Sequence, residues 1–527
     1  MLRRLKSCFL LFALAATTAG AQSKPPAAAR PAAVRPKLVL AIVLDQFRYE
    51  YLMRFRDSYN GGLQWLLSNG ASLTDAHYQQ MPTVTAVGHS IFLSGAMPAV
   101  SGIIDNEWFD RASGRKITSV SDPGHKLLGA SGEAASPHRM LVTTVGDQLK
   151  LTYGGSSKVF GISLKDRSAI LPAGRMADGA LWFDEGSGNF VSSTWYSKQL
   201  PAWVEAFNKS RHADAYLGAA WKPLDPASVP PFLSLAASAG AAYYKAFERT
   251  PFANELLELF AEGLLEEEKL GRRGLTDLLA VSFSANDYVG HDYGPYSPQV
   301  RDMCLRTDRL LARLLKFVDS KVGLAGTLIV LTSDHGVSPV PEQVMNQKLS
   351  AGRIKKTDLW QMVTRKLNED FGTGDWILGE STVGPYLNHA LIAKKRLDAA
   401  QVIGRAATLL RAVPGVARVY TRGQLESEVS SGDPIEDRVR NGYHRARSAD
   451  LVIVLEPFWL FDTNPANHFQ PYSYDTHVPV LFAGRGVRKG IYHRRAAVSC
   501  IAPTLALLLG TEAPSGSQAR VLDELLE

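Results

Sequence analysis

Cysteine is scarce, with Cys8, Cys304 and Cys500 the only three in 527 residues, so the chain has at most one disulfide once a leader carrying Cys8 is removed. Cys304 and Cys500 are candidates to pair in an oxidising compartment, and equally candidates to sit apart as small buried hydrophobes. Charge of one sign is also lacking. The formal net charge of +7 falls to +4 without Arg3, Arg4 and Lys6, which is no nucleic-acid-binding signature in a chain of this size. The short basic runs at Arg353, Lys355 and Lys356, and from Lys394 to Arg396, read as solvated faces. No repeat at solenoid spacing occurs.

Long apolar runs are absent after the first residues. Arg3, Arg4 and Lys6 precede the run Cys8–Ala16 and the small residues Ala19, Gly20 and Ala21, the order of a signal peptide cut before Gln22. An uncleaved anchor would need a longer run or a stop-transfer pattern, and neither is there. The expectation is an exported protein, periplasmic or secreted, with no membrane span after cleavage. Residues 22–36 are rich in Pro and Ala and read as an extended tether.

What is present is an alternation of buried strands and amphipathic helices. Lys37–Leu44, Lys158–Leu164, Leu278–Phe283 and Thr327–Thr332 are short Val/Ile/Leu-rich runs of the kind that fill a parallel sheet. Arg301–Val318 places Met303, Leu305, Leu310, Leu311 and Leu314 at three- and four-residue spacing, as in a helix covering that sheet. The fold class is therefore α/β, a doubly wound and mainly parallel sheet spanning residues 37–527. Two insertions are expected. Residues 181–274 read as surface elaboration. Residues 349–461 read as a small α/β cap built from Tyr386–Ala393 (strand), Leu397–Ala412 (helix), and the strands Ala417–Tyr420 and Asp450–Leu455.

Chemistry in such a sheet gathers at the carboxyl ends of the strands. Asp45 closes the first run, Lys165 and Arg167 follow the second, Asp287 and His291 the third, and Asp334 and His335 the fourth. Each aspartate alone would pass for a turn former or a helix cap. Together, three carboxylates and two imidazoles are a donor set that suits zinc better than magnesium. A sixth donor would complete two sites, and His477, just ahead of the apolar run Val478–Phe482, is the favoured candidate over His389, His444 and His468. Its place before a strand requires either a loop that reaches across or an antiparallel strand. In Met81–Ser90 a loop breaks into a helix, with Thr85 expected at the N-cap, where backbone N–H groups would stabilise an anion.

Asp45, the Pro-Thr-x-Thr run ending at Thr85, Gly102-Ile103-Ile104-Asp105-Asn106, Asp287-x-x-x-His291, Asp334-His335-Gly336 and Thr476-His477 together resemble the alkaline phosphatase superfamily. The resemblance is strongest to its phosphate-irrepressible (PafA-type) bacterial members, relatives of the nucleotide pyrophosphatase/phosphodiesterases. It implies two Zn2+ ions, one on Asp287, His291 and His477, the other on Asp45, Asp334 and His335. It also implies Thr85 between them as the nucleophile that becomes a phosphothreonine, and Asn106 on a phosphate oxygen. Lys165-x-Arg167 resembles the pair by which these phosphatases hold a doubly charged monoester. The implied activity is hydrolysis of small-molecule phosphate monoesters with broad specificity. A phosphodiesterase with the same metal site is the alternative enzyme, and a secreted metal- or phosphate-binding protein with a decayed site is the alternative of another class. The Cys/Ser-x-Pro-x-Arg setting of sulfatases is missing from Pro82–Ser90. Nothing in the sequence specifies an oligomeric state.

Overall fold

A computed structural model describes residues 35–224, 230–429, 432–461 and 463–527. The leader at 1–21 and the tether up to residue 34 lie outside the described residues. Strands Leu38–Leu44 (β1), Ala71–Leu73 (β2), Leu127–Leu128 (β3), Val159–Ser163 (β4), Gly179–Asp184 (β5), Asn189–Ser193 (β6), Asp277–Phe283 (β7), Thr327–Thr332 (β8), Val480–Gly484 (β9) and Gly490–Tyr492 (β10) form one sheet. Its spatial order is β10-β2-β9-β8-β1-β7-β4-β5-β6-β3. The central strands β8, β1, β7, β4 and β5 are parallel. This is the expected α/β sheet, and the four apolar runs are four of its five central strands.

All seven residues of β1 are buried, because the sheet is covered on both faces. Their alternation divides the core in two. Val39, Ala41 and Val43 join one apolar cluster with Val87, Ile91 and Phe92 of helix Thr85–Ser94 (α1). Leu38, Leu40, Ile42 and Leu44 join the other with Phe260 and Leu264 of helix Pro251–Glu267 (α2) and Leu310, Leu311 and Leu314 of helix Pro298–Lys321 (α3). Ser297 caps α3 by accepting the Val300 N–H, and Pro298 fills its first position. A Leu311→Ala change in that packing costs about 2–5 kcal/mol.

The insertions differ in part from expectation. Residues 181–274 are not all surface elaboration: β5 and β6 extend the sheet and α2 packs on its face, because Leu256, Leu257, Phe260 and Leu264 make one buried stripe. Residues 349–461 contain small two-stranded pieces, 352–354 with 459–461, 377–380 with 385–387, and 416–421 with 451–455. The strand expected over Tyr386–Ala393 ends at Leu387, where the Asn388 side chain accepts the Leu391 N–H and starts helix His389–Lys394. Among the described residues no helix is long and apolar enough to cross a membrane. Cys304 and Cys500 are unpaired buried thiols.

Candidate metal and phosphate site

The parallel strands deliver their carboxyl ends to one edge. Asp45 follows β1 directly. Asp334 and His335 lie just past β8, and Asp287 and His291 sit one turn apart on helix Ala285–Tyr293 (α4), which follows β7. β9 is antiparallel to β8, pairing Val480 with Thr332, so the loop ahead of β9 opens at this same edge.

The side chains gather into two groups, Asp45 with Asp334 and His335, and Asp287 with His291 and His468. In the first, His335 Nε2 lies 3.3 Å from Asp334 Oδ2 and 3.6 Å from Asp45 Oδ1. In the second, Asp287 Oδ1 lies 3.2 Å from His291 Nε2 and 3.6 Å from His468 Nε2. The groups abut: the rings of His335 and His468 stack at 3.5 Å, and the Lys165 ammonium bridges Asp45 (2.7 Å) and Asp287 (2.6 Å). Thr85 stands at the junction, 2% exposed, its hydroxyl 3.5 Å from His335 Nε2.

The electrostatics suit a cation. Among the described residues, Asp45 Oδ1 and Asp334 Oδ2 are buried without a hydrogen-bond partner, which is costly unless a positive charge meets them. Burial, then the neighbouring Asp334, pushes the Asp45 carboxyl well up. Burial also acts to raise Asp287, but Lys165 and His291 outweigh it and hold that group well below the usual carboxylate range. Burial lowers both His335 and His468, leaving neutral imidazoles with lone pairs free to ligate. Three carboxylate and three imidazole donors of this kind fit zinc. The second nitrogens are already spent as donors: His335 Nδ1 to Gly336 O (2.9 Å), His291 Nδ1 to Ala466 O (2.9 Å) and His468 Nδ1 to Thr83 O (2.7 Å). Each Nε2 therefore faces the site.

His477 is a correction. It does not join either group; its ring stacks between Tyr49 and His77, 4.4 Å from each, and its Nε2 donates to Thr74 O. The short helix Ser473–Thr476 turns the chain before β9 and aims His477 away, while His468 enters from the irregular loop before it. Asp75, His77 and His477 lie close enough to suggest a third metal group. Face-to-face imidazoles direct their lone pairs along parallel planes and do not converge on one ion. His77 also has both nitrogens engaged, with Asp75 Oδ1 (2.7 Å) and Thr476 Oγ1 (3.1 Å). The stack is a packing element. If these groups hold a metal ion, His468→Ala weakens its binding by more than tenfold and His477→Ala leaves it near wild type, as a chelator competition titration reads.

Thr85 is a second correction. It is the first residue inside α1, with Val84 at the cap position and no side-chain cap bond. The cap comes from across the site, where Asn106 Oδ1 accepts the Ala86 N–H at 2.8 Å. That leaves the Thr85 hydroxyl out of the helix cap, and among the described residues the Asn106 amide nitrogen has no partner and is free for a ligand oxygen. α1 approaches the Asp334 loop closely enough that a Cβ on Gly88 would meet Asp334 O at 2.1 Å. His89, one turn on, hydrogen-bonds Thr85 O and the Ser282 hydroxyl at 2.8 Å each and lies 3.2 Å from Asp334.

Lys165 and Arg167 flank the start of helix Asp166–Ala173 (α5). Both were expected to point at a substrate, and their settings differ. The Lys165 ammonium is buried on Asp45 and Asp287, which outweigh burial and hold its pKa up. The Arg167 side chain is part-exposed, and its Nε has no hydrogen-bond partner among the described residues. Gln46, unmarked in the sequence analysis, ties the groups together. Its N–H donates to Asp334 Oδ1 (3.1 Å) and its amide to Asp287 Oδ1 (2.6 Å). Gly290 makes room for it, since a Cβ there would sit 1.7 Å from Gln46 Oε1.

Known proteins resemble this chain along most of its length. Residues 39–478 match the family described as type I phosphodiesterase / nucleotide pyrophosphatase. A protein of Synechococcus elongatus named alkaline phosphatase PhoV is 35% identical, over 99% of this chain and 99% of its own. A Myroides odoratus protein named calcium-transporting ATPase is 34% identical, over 94% of this chain and 95% of its own. The crystal structure of wild-type alkaline phosphatase PafA superposes with a TM-score of 0.88 at 33% identity, covering 94% of this chain and 100% of that one.

Proposed function

Because the chain belongs to the type I phosphodiesterase / nucleotide pyrophosphatase family, we propose that it is an alkaline phosphatase, hydrolysing phosphate monoesters through Thr85. The observation that carries this reading is the pair of abutting Asp/His groups with a buried threonine hydroxyl at their junction, facing His335. Asp45, Asp334 and His335 would hold one zinc ion and Asp287, His291 and His468 the other. Bound there, the ions would supply Lewis-acid charge stabilisation to the phosphoryl transfer.

The chain's own groups account for the rest. Thr85 Oγ1 attacks phosphorus; the Oγ1–P bond forms as the ester P–O bond breaks, and the departing alcohol takes up the proton. Water then displaces Thr85 from phosphorus, releasing inorganic phosphate and restoring the hydroxyl. Asn106, fixed by the Ala86 N–H on its carbonyl side, donates from its amide nitrogen to a non-bridging oxygen. Arg167 offers its unspent guanidinium donors to the charge that a monoester carries and a diester lacks. The leader-like sequence at 3–21 makes this an exported enzyme, acting in the periplasm or the medium.

The test uses an aryl phosphate monoester and a methyl aryl phosphate diester. Chelation removes activity, zinc restores it, and the zinc-loaded protein prefers the monoester by at least about a hundredfold, the worth of one or two charge-assisted hydrogen bonds. A preference for the diester sinks the monoesterase assignment.

A further inference from the structure

The two groups are reached by a loop and a short helix whose contacts the mechanism does not use. Asp475, in the helix Ser473–Thr476, is fully buried. Its Oδ2 accepts the backbone N–H groups of Phe469 (3.0 Å) and Gln470 (2.8 Å), the two residues after His468. Phe469 has a φ of 146°, a region that side chains other than glycine rarely occupy. Such a backbone needs outside bonds to hold it, and the Asp475 carboxylate provides two at the point of strain.

The same residue reaches the other group through its main chain. Asp475 O accepts the Gly336 N–H at 2.7 Å, and Tyr474 O accepts the Val337 N–H at 3.0 Å, immediately after His335. Gly336 permits the approach, because a Cβ there would lie 2.1 Å from Tyr474 O. Thr83 closes the frame. Its carbonyl accepts His468 Nδ1–H, and its hydroxyl donates to Gln470 O at 3.1 Å. The loops of His468, His335 and Thr85 are thus joined through Asp475, by its carboxylate on one side and its main chain on the other, and through Thr83.

We propose that Asp475 is a positioning residue: its carboxylate holds the 468–470 loop in the strained conformation that sets His468 Nε2 against Asp287, beside His335. The inference rests on the reading of His468 as a zinc ligand. Its consequence is that Asp475 governs metal affinity at the Asp287–His291–His468 site while touching neither metal nor substrate.

The test measures zinc affinity by chelator competition, and thermal unfolding of the metal-free protein, for wild type and the variants Asp475→Ala, Asp475→Asn, Asp475→Glu and His468→Ala. Asp475→Ala weakens zinc binding at one site by about 10- to 100-fold, the usual effect of losing a support for a ligand. Asp475→Asn, whose amide oxygen accepts the same two N–H groups, stays within about fivefold of wild type on the same scale. Asp475→Glu keeps the carboxyl group but displaces its oxygens, and loses affinity even if the alanine variant does not fold. Wild-type affinity in a folded Asp475→Ala or Asp475→Glu protein overturns the proposal, as does an Asn variant as weak as Ala. His468→Ala separates the two levels. If it binds zinc as wild type does, the metal reading itself fails; if it loses zinc and Asp475→Ala does not, only the positioning role falls.

Discussion

Thr85→Ala lowers kcat for a phosphate monoester by at least about a thousandfold, the scale on which removing a nucleophile leaves only the surrounding electrostatic site at work. Zinc affinity stays within about tenfold of wild type, since all six Asp and His donors remain. The structure separates these effects because Thr85 Oγ1 takes no part in the helix cap. It lies 3.5 Å from His335 Nε2, and α1 is capped by Asn106 instead. A side chain with no role in the helix cap is removed with little effect on folding. Thr85→Ser keeps the oxygen and recovers most of the turnover. Acid quenching of the wild-type reaction, followed by peptide mass spectrometry, finds phosphate on the fragment holding Thr85 and none in the alanine variant. Thr85→Ala with a tenth or more of wild-type turnover sinks the covalent mechanism.

The sheet was legible because its central strands are buried on both faces and so carry uninterrupted apolar runs, each ending in a polar residue at the edge where chemistry occurs. Asp45, Asp287, His291, Asp334 and His335 follow from that rule alone, since the strand fixes where its next residues go. His468 does not follow from it. Its loop has no regular structure, and its direction is set by Thr83 and Asp475, contacts that no local pattern encodes. His477, next to an apolar strand, carried the stronger local signal but is turned onto His77 and Tyr49. Thr85 was placed one residue off within its helix because the cap is supplied from across the site, by Asn106. The β5–β6 extension was hidden for a related reason. Its strands lie toward one side of the sheet among turn-rich sequence, and α2 shows its buried stripe only against the sheet it covers.

The variant Lys165→Ala/Arg167→Ala loses about 10²–10⁴-fold in kcat/KM for the monoester and less than about tenfold for the diester, taking each charge-assisted hydrogen bond to a phosphate oxygen as 1.5–3 kcal/mol. A bare Coulomb estimate, about 4 kcal/mol per unit charge at 4 Å and a dielectric near 20, would promise more, but desolvation takes part of it back. The two residues enter unequally. Arg167 has a buried Nε with no partner among the described residues and only a 3.6 Å contact to Asp166, so its donors are available to a dianion. Lys165 lies on Asp45 and Asp287, and removing it also takes a positive charge from two carboxylates of the candidate metal groups. Its loss therefore raises zinc affinity and shifts both substrates together, whereas loss of Arg167 falls on the monoester. Measuring the ratio of monoester to diester kcat/KM cancels the shared effect. Arg167→Ala alone accounts for most of the drop in that ratio and Lys165→Ala for less; an unchanged ratio in the double variant means that the pair serves the carboxylates and not the substrate.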